Sequence, residues 1–410
     1  MTDRIFITGW DEMKKIIGLL IGTVLTLNIL IFSMSTADDY NEGIFKAKPV
    51  TADNIIATSK KPAVSAMAAI VVDMESGRVL YEKNAYSKRA IASTTKIMTA
   101  IVALENGNLE DVVTVSKRAA NTWGSSIDLV EGEQLSLKEL LYGLMLSSGN
   151  DAAIAIAEHI GGSVESFADM MNEKARELGA ENTHYVTPHG LDIQDHYSTA
   201  YDLALISRYA LTNPVFASIV STKTMSIKGR QLYNTNEMLG MYPGADGVKT
   251  GYTGQAGRCL VTSSTRDGWK IISVVLGCST RTQRAVGSQS ILDYSYQTFK
   301  LCNLQKEKDK IKDIKIVKGI KKNMPVLALS GIKYPLKSDE IGLVKSEISL
   351  PKSLKAPVIK GTEIGEIKFM LNGNIIASSK LISGESVRRK VFADYLGDIF
   401  TAWGRLIKSN

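Results

Sequence analysis

Ser93 and Lys96 lie in the stretch IASTTKIMTA, residues 91–100, where a helical pattern begins. Positions i and i+3 of a helix share one face, so the lysine amine can reach the serine hydroxyl. A serine beside such an amine can act as a nucleophile with the lysine as its base. The free N–H groups of a helix N-terminus also favour developing negative charge. A helix-capping serine followed by a solvated lysine is the alternative interpretation of the same residues.

The Ser-x-x-Lys pattern is weak evidence by itself, because the chain contains it three times. The other two copies, Ser330/Lys333 and Ser349/Lys352, lie in a region of short β-like runs. Only the first copy begins a convincing helix, so only that copy is a candidate for nucleophile and base.

Two further motifs occur once each, and they strengthen the interpretation of the first motif as a nucleophile and its base. Ser148-Gly149-Asn150 follows the apolar stretch LLYGLMLS, and Lys249-Thr250-Gly251 leads into a predicted strand pair. Alone, Ser148 is compatible with another helix cap and Lys249 with a surface charge. The spacings, 55 residues from Ser93 to Ser148 and 101 from Ser148 to Lys249, suit one sizeable domain.

In this order the three motifs resemble those of the active-serine penicillin-recognising enzymes. Within that group the chain resembles the low-molecular-mass penicillin-binding proteins that are serine-type D-alanyl-D-alanine carboxypeptidases. The stretches GRVLYEKNAYSKRAIASTTKIMTA, YVTPHGLD and DGVKTGYTGQAGRCLV carry the resemblance, which covers residues 60–300. It implies an α/β (α+β) fold: a β-lactamase/transpeptidase-like domain with an antiparallel sheet and a helical cluster, a small all-β domain and a C-terminal amphipathic helix.

The resemblance also implies roles for the first two motifs. Ser93 Oγ is expected to attack the carbonyl between two D-alanines, with Lys96 as its base. A lysine acts as a base only when neutral, so its pKa must be lowered by burial and by a neighbouring cation, for which Lys249 is the candidate. Ser148 is expected to relay a proton to the departing amine. Asn150 is expected to orient Lys96 and to bond the substrate amide.

The third motif is expected to bind substrate. Lys249 and Thr250 would hold the terminal carboxylate, and Gly251 and Tyr252 belong to the same substrate-binding stretch. The backbone N–H groups of Ser93 and Tyr252 would form the oxyanion hole. Family position also indicates Arg284 as a contact of the carboxylate; a surface arginine is the alternative. No cofactor and no metal is implied.

The loop after the second motif distinguishes this chain from common serine β-lactamases, which place a deacylating glutamate there. The stretch NTHYVTPHGLD, residues 182–192, contains no glutamate. A penicillin ester on Ser93 is therefore expected to persist. The four histidines are not needed for this chemistry, and His184 and His189 lack the carboxylate–histidine pattern of a metal site, which favours loop packing.

The expected function is hydrolysis of the terminal D-Ala-D-Ala bond of peptidoglycan stems, which releases D-alanine and limits cross-linking. A peptidoglycan endopeptidase or a β-lactamase on the same scaffold remains an alternative, as does a non-enzymatic envelope protein. A binding module has no need of Lys96, which argues against the last. The expected partners are stem peptides and β-lactam antibiotics, with no nucleic acid.

Composition indicates an ordinary globular protein. The 410 residues are 44% hydrophobic and 22% charged, with a net charge of +7, a surplus that suits anionic surfaces and polymers. Three cysteines are too few for a disulfide framework. A Cys259–Cys278 bridge is conceivable, but three free thiols are the expectation.

The N-terminus resembles a secretory signal. Lys14 and Lys15 precede an apolar run from Ile16 to Met34, and small residues follow, which predicts cleavage after Ala37. An uncleaved anchor is the alternative, since 19 apolar residues nearly span a bilayer. Met13 precedes the two lysines as a more usual start, so residues 1–12 are interpreted as an upstream extension. The enzyme is expected at the outer face of the cytoplasmic membrane.

Domain boundaries follow from composition. We expect a signal peptide at 1–37, a linker at 38–62, the serine peptidase domain at 63–302, an all-β domain at 305–384 and an amphipathic helix at 386–410. In that last segment the apolar residues fall on one half of a helical wheel, with five basic and two acidic residues. The pattern predicts a helix that lies in an anionic membrane surface, whereas packing on the β domain is the alternative.

Overall fold

The structure, a computed structural model, describes residues 60–408. The described chain forms two compact units. The first comprises Lys61–Val72 and Tyr81–Leu292; the second comprises residue 60, Asp73–Leu80 and 293–408. The signal peptide, its cleavage site, the start at Met13 and almost all of the predicted linker lie outside the described residues.

A five-stranded sheet forms the first layer of the first unit, in the order β2-β1-β9-β8-β7. Its strands are β1 (Ala68–Asp73), β2 (Val79–Lys83), β7 (Ala245–Thr253), β8 (Gly257–Arg266) and β9 (Trp269–Cys278). β7 pairs antiparallel with β8, and β8 pairs antiparallel with β9. Strands from both ends of the unit thus share one sheet, and β7 is an edge strand.

Helices make up much of the rest of the described first unit, and all but the last of them lie between β2 and β7 in sequence. They are α1 (Lys96–Asn106), α2 (Lys117–Ala120), α3 (Leu137–Leu146), α4 (Asn150–Gly161), α5 (Val164–Glu177), α6 (Ala200–Ala210), α7 (Pro214–Ser221), α8 (Met238–Met241) and α9 (Arg281–Thr298). Two small hairpins lie among them, β3 (Val112–Thr114) with β4 (Gln134–Ser136), and β5 (Thr224–Ile227) with β6 (Arg230–Tyr233). A capping box between Ser136 and Glu139 starts α3, which satisfies two of its free N–H groups.

The second unit is mainly β. Its strands are β10 (Phe299–Gln305), β11 (Lys310–Val317), β12 (Asn323–Ala328), β13 (Ile332–Lys337), β14 (Lys345–Ser349), β15 (Ser353–Lys355), β16 (Glu363–Leu371) and β17 (Asn374–Ser383). Six of them form a sheet in the order β14-β16-β17-β12-β11-β15, and β10 pairs with β13. Asn372 and Gly373 both have positive φ in the β16–β17 turn, the conformation that an Asn-Gly hairpin turn requires. Met324, Val326 and Leu381 lie at the centre of the core.

The chain ends in helix α10 (Phe392–Lys408), whose apolar side chains remain exposed. Phe392, Ile399, Phe400 and Trp403 are each more than 60% exposed. Within residues 60–408 no single helix is long and apolar enough to cross a bilayer; α6 and α7 meet the criterion only as a pair bent by 110°. The predicted fold class, a transpeptidase-like domain followed by a β domain and an amphipathic helix, is confirmed.

The three cysteines are free thiols, as expected. Cys259 and Cys278 are buried on neighbouring strands. Burial raises the pKa of the Cys259 thiol to about 12 and that of Cys278 to about 11, so both are protonated at neutral pH.

Candidate active site

The first motif forms a tight turn that presents one accessible hydroxyl. A 3₁₀ turn over Ala92–Thr95 leads directly into α1. Ala92, Thr94 and Thr95 are buried, whereas Ser93 is only half-buried. Ala92 has a φ of +48°, a conformation that costs a residue with a side chain about 1–2 kcal/mol. The turn therefore holds strain at the residue before Ser93.

Lys96 is fully buried, and its Nζ lies beside oxygens of Ser93, Asn150 and His189. The Nζ–O distances are 2.9 Å to Ser93 Oγ, 2.6 Å to Asn150 Oδ1 and 3.1 Å to the backbone oxygen of His189. The i, i+3 spacing thus brings the amine to the serine as predicted, and Asn150 orients Lys96 as the resemblance implied.

The second motif forms the N-terminal end of α4. Asn150 Nδ2 donates to the backbone oxygen of Trp123 over 2.9 Å, and its backbone N–H donates to the oxygen of Ser125 over 2.7 Å. The amide orientation is therefore fixed by a donor on one side and an acceptor on the other. Ser148 is 6% exposed and has a φ of +61°, which makes it the second residue with a side chain in a strained conformation at these motifs.

The third motif lies on the edge strand β7. Gly251 runs against the 3₁₀ turn: a Cβ at this position would lie 2.9 Å from Ser93 N and 3.1 Å from Thr94 N. Such contacts are too short for a side chain, so the glycine allows β7 to approach the backbone amide of the nucleophile. The predicted oxyanion donor at Ser93 therefore lies beside the strand expected to bind substrate.

Lys249 contacts the backbone of its own motif, whereas the Thr250 side chain contacts a residue outside it. Lys249 is buried, and its Nζ donates to the backbone oxygen of Thr250 over 3.1 Å. Thr250 Oγ1 lies 2.7 Å from Thr235 Oγ1. The backbone N–H of Thr235 donates to the oxygen of Leu146 at the end of α3. Thr235 thus links the third motif to the helix that leads into the second.

Tyr252, the last residue of the predicted substrate-binding stretch, is half-buried. The guanidinium of Arg258, directly opposite on β8, lies 4.4 Å from the centre of its ring. The cation stacks on the ring face and orients it.

Arg284 differs from the surface arginine considered as an alternative. Its guanidinium is fully buried, and both carboxylate oxygens of Glu237 accept from it at 2.8–3.0 Å. Glu237 itself immediately precedes α8, which packs on β7. Contact with a substrate carboxylate stays a prediction, and such a contact would compete with Glu237 for the same cation.

Two histidines that appeared dispensable contribute to the site. His189 supplies a backbone oxygen to Lys96, and His196 Nε2 lies 2.8 Å from Thr95 Oγ1. Burial lowers the pKa of His189 to about 3 and that of His196 to about 4, with nearby charges adding to the effect. Both imidazoles are therefore neutral at working pH. The sequence analysis missed His189 because its contribution is a backbone oxygen, which residue type does not reveal. It missed His196 because its partner, Thr95, lies far away in the sequence.

Comparison with known proteins identifies the family. Residues 55–280 match the family model described as D-alanyl-D-alanine carboxypeptidase. Residues 298–389 match the model described as penicillin-binding protein 5, C-terminal domain. The chain belongs to the D-alanyl-D-alanine carboxypeptidase family. The resemblance stated from the three motifs is confirmed.

Similar proteins support the same assignment over most of the chain. The carboxypeptidase DacF of Bacillus subtilis is 35% identical over 82% of this chain and 90% of its own length. DacC of Escherichia coli is 35% identical over 82% and 87%. Penicillin-binding protein 5 of Haemophilus influenzae is a solved structure with a TM-score of 0.68 and 31% identity, covering 80% of this chain and 99% of its own.

The chain is therefore a serine-type D-alanyl-D-alanine carboxypeptidase, a hydrolase whose family members are enzymes of the cell envelope. The family acts on peptidoglycan stem peptides and binds β-lactams. The predicted activity is confirmed, and the alternatives, an endopeptidase, a β-lactamase or a non-enzymatic envelope protein, are not favoured.

Proposed function

We propose that Ser93 is the nucleophile of this carboxypeptidase and forms an acyl-enzyme with the stem peptide. The observation that supports this most directly is the 2.9 Å contact between Lys96 Nζ and Ser93 Oγ. Ser93 keeps part of its surface accessible to substrate, whereas Lys96 is fully buried. Burial disfavours the charged ammonium, and the neutral amine is the form that accepts a proton.

The partners of Lys96 suit a general base. Asn150 Oδ1 and the His189 backbone oxygen can only accept hydrogen bonds. A neutral amine has two N–H bonds and one lone pair. It can direct the two N–H bonds at these oxygens and the lone pair at the Ser93 hydroxyl. General-base assistance of this kind contributes about 10²–10⁴ in rate.

The chemical steps follow from this arrangement. Ser93 Oγ bonds to the carbonyl carbon of the D-Ala-D-Ala amide while its proton passes to Lys96 Nζ. The C–N bond then breaks, and the departing D-alanine amine takes a proton from Lys96, with Ser148 as the relay. Water finally hydrolyses the ester, which restores the Ser93 hydroxyl and releases the shortened stem.

We assign substrate binding to the third motif. Lys249 and Thr250 hold the terminal carboxylate, and the N–H groups of Ser93 and Tyr252 stabilise the oxyanion. One such donor is worth about 10²–10³ in rate. The close approach of Gly251 to the Ser93 amide supports this geometry. Arg284 can bind the substrate carboxylate only if its ion pair with Glu237 breaks.

The proposed mechanism is tested by mass spectrometry after incubation with penicillin. We expect one adduct of the mass of intact penicillin, on the peptide that contains Ser93. It should persist, because residues 182–192 provide no glutamate to activate the deacylating water. Ser93→Ala should abolish both the adduct and D-alanine release while the protein stays folded. An adduct on another peptide, or labelling of the alanine variant, would exclude Ser93 as nucleophile.

We further propose that the enzyme is exported and that α10 holds it to the outer face of the cytoplasmic membrane. The support is the exposed apolar face of α10, which includes Phe392, Ile399, Phe400 and Trp403. Arg388 pairs with Asp394, and Lys390 with Asp398, so both acidic residues of the tail are neutralised. The remaining basic surplus of the segment favours anionic lipid.

A further inference from the structure

The 184–198 loop packs against the nucleophile turn, and its two ends are joined by backbone pairing. His184 and Tyr197 exchange two backbone hydrogen bonds of 2.9 and 3.0 Å. Asn172 on α5 bonds the backbone of Tyr185 in both directions at 2.8 Å. The loop is therefore anchored at its ends and can hold other groups in place.

Three contacts connect this loop with the nucleophile turn and with the first turn of α1. Thr99 Oγ1 donates to the backbone oxygen of Pro188 over 2.6 Å. Lys96 donates to the backbone oxygen of His189. Gly190 packs so closely that a Cβ there would lie 2.1 Å from the oxygen of Ala92 and 2.5 Å from Thr95 Oγ1. The loop thus packs directly on the strained residue that precedes Ser93.

His196 contacts the nucleophile turn through its side chain. Its Nδ1 lies 3.1 Å from the backbone N–H of Val186 and must accept from it. The proton of the neutral ring is then on Nε2, which donates to Thr95 Oγ1 over 2.8 Å. Thr95 Oγ1 in turn donates to the oxygen of Ala92 over 2.8 Å. A directed chain of hydrogen bonds runs from the loop backbone to Ala92.

We propose that His196 is a positioning residue for acylation: through Thr95 it fixes the strained Ala92 backbone and thereby holds Ser93 Oγ against Lys96. The proposal rests on the proposed role of Ser93 as nucleophile. Strained conformations persist only when neighbouring contacts over-determine them, and Ala92 is constrained by Thr95 on one side and by Gly190 on the other. Loss of the imidazole removes the anchor of that constraint.

The imidazole must remain neutral to do this, because a protonated ring would carry a hydrogen on Nδ1 that opposes the Val186 N–H. Burial keeps its pKa near 4, and the groups that face it do not offset this effect. They are His184, whose charge lowers the pKa further, and Tyr185, whose ring meets the imidazole edge-on at 5.7 Å. His196 therefore holds the same hydrogen bonds across the working pH range.

The test measures penicillin acylation, with the acylation rate constant and the noncovalent dissociation constant determined separately by saturation. His196→Phe fills the same space without either ring nitrogen. We expect its acylation rate constant to fall roughly 10- to 100-fold, as for a small misplacement of a reacting group. The dissociation constant should stay within about two-fold, because the carboxylate-binding residues are untouched. His196→Gln, which can donate and accept at similar positions, should restore most of the rate.

Coupling and control variants make the test specific. Thr95→Val removes the hydroxyl that His196 bonds, so the His196→Phe/Thr95→Val double variant should be little slower than the slower single variant. His159→Gln, which replaces a histidine on α4 whose Nε2 lies 3.5 Å from Asp111 Oδ2 at the surface, should retain the wild-type rate. The midpoint of the acid limb of the rate profile should be the same in wild type and His196→Gln.

Wild-type acylation in His196→Phe, additive effects in the double variant, or loss of the acid limb in His196→Gln would each overturn the positioning role. If His196→Phe does not fold, the acylation rate constants of Thr95→Val and His196→Gln still show whether the hydrogen bond between these two residues supports acylation. An adduct on Ser93 with an unaffected His196→Phe variant rejects only this inference. An adduct elsewhere in the wild-type protein rejects the proposed nucleophile itself.

Discussion

Asn150 Oδ1 accepts from Lys96 Nζ over 2.6 Å, across 54 residues of sequence. This single contact joins the first two motifs, since the same amide donates to the Trp123 backbone and cannot rotate freely. The amide therefore sets both the place and the electrostatic surroundings of the amine proposed to accept the Ser93 proton.

Replacement of Asn150 should separate these two effects. Asn150→Ala removes the acceptor, and Asn150→Asp places a carboxylate beside Lys96. Both lose the donor to Trp123, but only the aspartate stabilises the charged ammonium. We expect both to acylate slowly, and only Asn150→Asp to have its rate profile displaced to higher pH. Stopped-flow acylation from pH 6 to 10 measures this; identical profiles for the two variants would contradict it.

Lys96→Arg should be nearly as damaging as Lys96→Ala. Arginine remains charged at any usable pH and cannot accept the serine proton. We expect losses of about 10²–10⁴ in acylation rate for both, the range of general-base assistance. Fluorescent-penicillin labelling over time gives the rates, and circular dichroism checks folding. An arginine variant with the wild-type rate would rule out Lys96 as the base.

Glu237→Ala should destabilise the first unit strongly. Removal of the carboxylate leaves the buried Arg284 guanidinium without its bidentate partner, and breaking a buried pair costs about 3–5 kcal/mol. The matched control is Glu165→Ala, which removes the exposed pair with Arg118 and should cost about 0–1 kcal/mol. Urea unfolding followed by fluorescence compares the variants; equal losses would contradict a structural role for the buried pair.

Acidification should lower the free energy of unfolding through His189 and His196. Their pKa values lie near 3 and 4 when folded and near 6.5 when unfolded. Between pH 6.5 and 4 the unfolded chain therefore binds more protons, and stability falls with falling pH. The slope is up to about 1.4 kcal/mol per pH unit for each histidine.

Urea unfolding at pH 7.5 and pH 5 tests this linkage. His196→Gln should lose less stability between the two pH values than the wild type, because one of the two groups no longer titrates. His159→Gln serves as the control and should keep the wild-type pH dependence. A His196→Gln variant as pH-sensitive as the wild type would show that the imidazole has the same pKa in the folded and unfolded states.

Removal of α10 should release the mature enzyme from membranes without loss of activity on soluble peptides. The truncation should keep residues up to Val391, because residues 387–390 pair with the backbone at Val358, Lys318, Gly319 and Ile320. High salt should partly extract the full-length form, since interfacial helices bind reversibly. A truncated protein that still sediments with membranes would instead indicate that residues 16–34 form an uncleaved anchor.

The amino-acid sequence alone determined the family, the fold class and the three motifs, because their chemistry depends on residue type and order. Ser93, Lys96, Ser148, Asn150 and Lys249 could be selected before any coordinates were known. Local periodicity was also sufficient for the hairpin at Asn372-Gly373 and for the amphipathic end of the chain, since both depend on neighbours in sequence.

Only the tertiary structure decided which groups hold the motifs in place. The His189 oxygen at Lys96, the Trp123 oxygen at Asn150 and the Thr235 hydroxyl at Thr250 lie 93, 27 and 15 residues from their partners. Two of these are backbone oxygens, which every residue possesses. The Glu237–Arg284 pair and the contact between His196 and Thr95 are decided by packing between elements that local patterns leave unspecified.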